Sequence, residues 1–316
     1  MIAAVSQSFV LRAHLLWWND DPFFAGQSAQ ISVPDGAMAV GADGRIAWVG
    51  EAANLPNDYT AWPEVDRRGT VVLPGFIDAH LHFPQSAIIG AYGTDLLHWL
   101  DTYTFPEESR FGDQAHAASI AAIFADTLLR YGVTSACVFS TIHPVALEEL
   151  AAAFHSRGMG LLSGKTAMDR NAIPTLHDTA QSAYDDAKVL LEALEPQYDR
   201  FGYVVTPRFA ITSTEAQLDV CGSLHAEFPH TRMQTHINES AREIATVAQL
   251  FPNDASYLDV YDRFGLVTDR SLFAHGIHTT EAEMARMAEA GAAVVHCPTS
   301  NTFLGSGLFN PGANRA

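Results

Sequence analysis

His80 and His82 close a short apolar run, 76–81, with one residue between them. Alternate side chains of a β-strand point the same way, so both imidazoles can face one ion. Imidazole nitrogen is a good zinc donor, although a His-x-His pair taken alone also reads as two satisfied or exposed histidines. Two further apolar runs, 231–236 and 272–275, end in His236 and His275. Four imidazoles at the ends of three strands converge on one mouth if those strands close into a barrel. Glu239 follows His236 by three residues and falls just past its strand end. A carboxylate beside an activated water suits proton transfer. It equally suits a helix N-terminus, where the dipole favours an acid.

The elements that must position these groups are legible as a rhythm. Short β-like runs at 76–81, 133–140, 159–164, 203–206, 231–236, 272–275 and 293–296 alternate with helical stretches. The helices are expected at 113–131, 144–157, 176–195, 215–228, 241–250 and 281–290. Thr212 to Glu215 and Thr280 to Glu283 both have capping-box spacing at helix starts. Alternation of β and α over this length predicts an α/β protein with a parallel sheet or a (β/α)8 barrel. Residues 1–74 read as β instead. The runs 37–40 and 45–49 flank Asp43-Gly44, a hairpin signal, and Met1 to Trp18 reads as a strand. Seven barrel strands are counted, followed by a Gly-, Pro- and Asn-rich tail from Pro298 to Ala316.

Composition narrows the partners. The chain has 316 residues, 48% hydrophobic and 17% charged, enough for a sizeable core. Its formal net charge of -18 repels phosphate backbones, so no nucleic-acid partner is expected. Cys137, Cys221 and Cys297 are widely spaced and odd in number, which fits a reducing, cytoplasmic setting. The apolar start, interrupted by Arg12 and His14, has no cleavage site typical of a signal peptide. No long uncharged apolar stretch predicts a membrane span.

Six segments carry a resemblance. They are PGFIDAHLHFPQ from Pro74, GKTAMDRN from Gly164, TPRFA from Thr206, QTHINES from Gln234, AHGIH from Ala274 and HCPTSNTFLGSGLF from His296. Together they resemble the amidohydrolase superfamily and, within it, the guanine deaminases. The resemblance implies a (β/α)8 barrel over 75–316 and, over 1–74, the N-terminal part of a small β-sandwich. It implies one zinc ion on His80, His82 and His236, with zinc lowering the pKa of a bound water to about 7. It implies guanine near Gln85, Arg208 and Phe209, with Gln85 and Arg208 on the purine edge and Phe209 against the ring. Glu239 then shuttles protons and His275 polarises the water. The planar fork of Arg208 fits a carbonyl oxygen; its other reading is a surface ion pair. The implied reaction is deamination of guanine to xanthine and ammonia, a step of purine catabolism. A homodimer is the assembly the resemblance leaves open.

Other polar residues are read as structural. Lys165 is expected to be structural or to support the site, since single-zinc deaminases do not use it as a metal bridge. Asp78 and His143 are expected to be structural, and Cys297 beside His296 is not expected to be a ligand. The pattern departs from the family at its end: the strand-eight aspartate that would complete the zinc site has no counterpart here. A truncated copy, a fragment with an incomplete barrel, is therefore expected to turn over poorly. Two alternatives stand beside guanine deamination: an amidohydrolase acting on another aromatic amine or a triazine, and a non-catalytic relative.

Overall fold

The computed structural model describes residues 7–93 and 95–310. Its contacts divide the chain into two compact units, Met1–Phe76 and Ile77–Ala316. The strand read from Met1 is observed as Phe9–Trp18; residues 1–6, like the tail from Pro311 to Ala316, lie outside the described residues.

The first unit is a four-stranded sheet. Its strands are β1 (Phe9–Trp18), β2 (Gln30–Val40), β3 (Ile46–Glu51) and β4 (Glu64–Val72), in the order β3-β2-β1-β4. β2 and β3 form the expected antiparallel hairpin. Gly44 takes a left-handed φ of 77° in its turn, a conformation glycine adopts without a Cβ clash.

The second unit holds the barrel strands. They are β5 (Phe76–His82), β6 (Val133–Phe139), β7 (Gly160–Gly164), β8 (Thr166–Ala167), β9 (Phe201–Pro207), β10 (Arg232–Ile237), β11 (Ser271–His275) and β12 (Ala293–Val295). Among the described residues the order is β12-β11-β10-β9-β7-β6-β5, with β8 also paired to β9. The pairs from β6 to β12 are parallel. β7 and β8 are one strand path interrupted at Lys165. The end of β7 needs Gly164, because a Cβ there would lie 1.8 Å from the Val204 carbonyl oxygen on β9. Runs such as Val204, Val205, Met233 and Phe273 are buried, as parallel strands covered by helices require. No helix among the described residues is long and apolar enough to cross a membrane.

Six helices follow the predicted positions: Gln114–Arg130, Pro144–His155, Ala180–Gln197, Glu215–Glu227, Ala241–Leu250 and Glu281–Ala290. Thr280 and Glu283 form the expected capping box, and Ser240 with Glu243 forms one that was not expected. The box expected from Thr212 to Glu215 does not form. Thr214 is the cap instead, accepting from the Gln217 backbone N–H. Its own N–H and hydroxyl are held by Asp169 at 2.7 and 2.5 Å, and that pairing sets the helix start.

The segment between β5 and the first long helix escaped the periodic reading. It is a chain of single turns, including Leu96–Trp99, a π-turn at Leu100–Thr104 and Phe105–Glu108. Turns this short carry no period to detect. A further helix, Pro298–Phe303, follows β12 where only a Gly-, Pro- and Asn-rich tail was read.

Candidate active site

β5 places His80 and His82 two residues apart at its C-terminal end, and β10 brings His236 beside them. The Nε2 atoms of His82 and His236 are 3.0 Å apart. His236 Nδ1 lies 2.7 Å from the Arg208 carbonyl oxygen. A carbonyl only accepts, so Nδ1 carries the proton and Nε2 turns its lone pair toward His82. One candidate ligand atom from each of His80, His82 and His236 lies within 4.8 Å of the others. Burial holds all three well below the usual imidazole range, which leaves them neutral, the form that binds a metal. The buried Nδ1 of His82 has no partner among the described residues. Convergent lone pairs and a fixed tautomer fit a divalent cation.

Phe139, at the end of β6, supports the cluster. Its ring centroid is 5.2 Å from His80, 4.5 Å from His82 and 4.6 Å from His236. Its position was missed because an aromatic residue at a strand end looks like ordinary core.

His275 closes β11 in a left-handed conformation, φ 75°, and Asn238 turns the chain after β10 at φ 50°. Non-glycine residues are rarely found there, though Asn and His tolerate it best. The turn at Asn238 carries Glu239 back into the site, where its Oε2 is 3.4 Å from His275 Nε2. Asn301 Nδ2 donates to His275 Nδ1 at 2.9 Å, so the His275 proton sits on Nε2, facing Glu239. Ser306 Oγ donates to Glu239 Oε1 at 3.3 Å. Burial pushes the Glu239 carboxyl up to about 7, against the pull of Ser306 and Arg208. Burial holds His275 down at about 4. Asn301 was missed because its link to His275 spans a strand, a helix and another strand.

Arg208 is 2% exposed and is not a surface residue. Its Nη1 donates to both carboxylate oxygens of Glu108, at 2.9 and 2.7 Å. Gln85 Nε2 reaches Glu108 Oε1 at 3.4 Å. Phe209 is buried, 6.3 Å from the His236 ring. All eight residues singled out from the sequence line one cavity of about 460 Å³.

The remaining polar residues fall as follows. Lys165 is buried, with Nζ 2.5 Å from Asp178, a structural pairing. Asp78 accepts from the His80 backbone N–H at 3.1 Å. His296 stacks on Phe309, with centroids 5.0 Å apart. Cys297 does approach His80 and His275. Burial pushes its thiol up to about 12.

Parallel barrel strands with histidines at their C-terminal ends and a buried acid beside them define a metal-dependent hydrolase. The chain belongs to the amidohydrolase family, whose model matches residues 71–312. It is 43% identical over 304 residues to the probable guanine deaminase of Deinococcus radiodurans, covering 95% of this chain and 69% of that one. Over 284 residues it is 42% identical to the guanine deaminase of Escherichia coli, covering 90% and 64%. A guanine deaminase from C. acetobutylicum, solved with guanine in its active site, superposes with a TM-score of 0.89 at 30% identity. That match covers 96% of this chain and 70% of the other. The chain thus spans about two thirds of the length of these relatives.

Proposed function

We propose that this chain carries the catalytic face of a guanine deaminase: water and guanine react to give xanthine and ammonia. The observation that carries this reading is the joining, in one cavity, of the imidazole triad, Glu239 and the Arg208–Gln85 pair. Relatives bearing the guanine deaminase name support it. His80, His82 and His236 would hold one zinc ion, whose Lewis acidity lowers the pKa of a water toward 7.

The protein groups then divide the work. Arg208 offers donors to the purine carbonyl oxygen, and Gln85 supplies a second polar contact on the same edge. Phe209 packs against the ring. Glu239 takes one proton of the attacking water and passes it to the ring nitrogen, then takes the second from the hydroxyl of the tetrahedral centre and delivers it to the amine, which departs as ammonia. A carboxyl poised near 7 can both accept and return that proton at neutral pH. His275, its proton on Nε2 beside Glu239, helps polarise the attacking water. A cytoplasmic setting, a homodimeric assembly and a place in purine catabolism belong to the same reading.

The test is direct. The zinc-loaded chain, offered guanine, adenine, cytosine and a chlorotriazine, should release ammonia from guanine and form xanthine. Better turnover of another ring than of guanine refutes the proposal. Asn301→Ala is expected to lower kcat about 10–100-fold with metal content unchanged, because the His275 tautomer is then no longer fixed. Steady-state rates beside metal analysis check it.

A further inference from the structure

Phe105 and Glu108 sit three residues apart on one helical turn, so their side chains share a face. Both serve Arg208. The Phe105 ring lies 5.5 Å from the guanidinium carbon, and the Glu108 carboxylate takes Nη1 through both oxygens. Phe105 is 2% exposed and Glu108 is fully buried, so water does not compete for either contact. Glu108 itself does not line the cavity, whereas Arg208 does. Nε and Nη2 of Arg208 have no hydrogen-bond partner among the described residues, and neither is a buried orphan. One nitrogen of the fork is therefore occupied by Glu108, and the two others are left without a protein partner among the described residues.

A guanidinium on a flexible stem can present any of its edges. With Nη1 tied to a carboxylate and one face against a ring, a single edge remains. Gln85 touches the same carboxylate, so Glu108 joins the two side chains expected to meet the purine.

We propose that Glu108 is a positioning residue: it aims the free edge of Arg208 into the cavity and thereby sets a preference for rings bearing a carbonyl oxygen at that place. This rests on the guanine deaminase reading. Glu108 touches no reacting atom and acts through Arg208 and Gln85. Its removal should weaken recognition of the carbonyl and leave binding of a ring without one nearly unchanged. A merely structural residue would lower both together.

Equilibrium binding separates the cases. Dissociation constants for guanine and for 2-aminopurine, which lacks the carbonyl, are measured with wild type, Glu108→Gln and Glu108→Asp. Glutamine keeps the volume but loses the charge and one acceptor. It should weaken guanine about tenfold or more, the usual effect of losing a charged hydrogen bond, and shift 2-aminopurine less than about twofold. Aspartate keeps the charge and should recover part of the guanine preference. A parallel loss for both rings, or an unchanged ratio in Glu108→Gln, overturns the inference while leaving the functional reading intact. A wild-type chain that prefers 2-aminopurine to guanine overturns both. If Glu108→Gln melts before binding is measurable, the comparison rests on Glu108→Asp. There the reduced reach should lower the guanine-to-2-aminopurine preference, and an unaltered preference refutes the role.

Discussion

Glu239→Gln is expected to lower kcat by about 10²–10⁴-fold, the usual contribution of a positioned acid–base group, with metal content unchanged. Glutamine has the same shape and keeps an acceptor for Ser306. It cannot take a proton from water or return one. The pH profile adds a second reading. Burial raises the wild-type carboxyl to about 7, so a rate that needs its ionised form should climb through that pH. The variant should lose that limb.

The same shift has a consequence for stability, and its sign can be worked out. Glu239 has a folded pKa above its unfolded value of 4.5. Its contribution is therefore fully present below that unfolded value and is lost as pH rises through about 7. Above that, the chain holds an ionised acid in a dry place. Neutral glutamine escapes the penalty, so the metal-free variant should be the more stable protein at pH 8, by on the order of 3 kcal/mol. The advantage should vanish near pH 4. Denaturant melts at the two pH values measure it. Equal stability differences at both would show that Glu239 does not carry the shifted proton.

The second large effect concerns the imidazole cluster. His236→Ala removes two contacts: an Nε2 lone pair 3.0 Å from His82 and a proton given to the Arg208 carbonyl. Loss of a direct ligand should weaken metal binding by more than the roughly 10–100-fold typical of outer partners, and turnover should fall with it. Metal analysis after dialysis against a weak chelator gives the answer. His143→Ala serves as the control: His143 is half-buried and lies outside the cluster. Equal metal retention in both variants would place the ion elsewhere.

Much of the site was legible because its signals are local. His80 and His82 share a strand face by the period of two, and a histidine ending an apolar run declares its place at a strand end. Glu281–Ala290 could be bounded from its capping box and the glycine that follows it. Thr214 shows where this fails: the spacing allowed a cap two residues earlier, and Asp169, 45 residues away, chose the one that forms.

The order of strands and helices, the mouth to which the histidines belong and the acid beside them were thus set by periodicity and spacing along the chain. What only the tertiary structure decided are the partners of those groups. Glu108 meets Arg208 across 100 residues, Asn301 fixes the proton of His275 across 26, and Phe139 packs under the triad from a neighbouring strand. A hydrogen bond depends on distances of a few ångströms, and no pattern of neighbours in sequence encodes them. Side-by-side packing of the strands brings such residues within reach, and burial then removes the water that would otherwise compete for each bond.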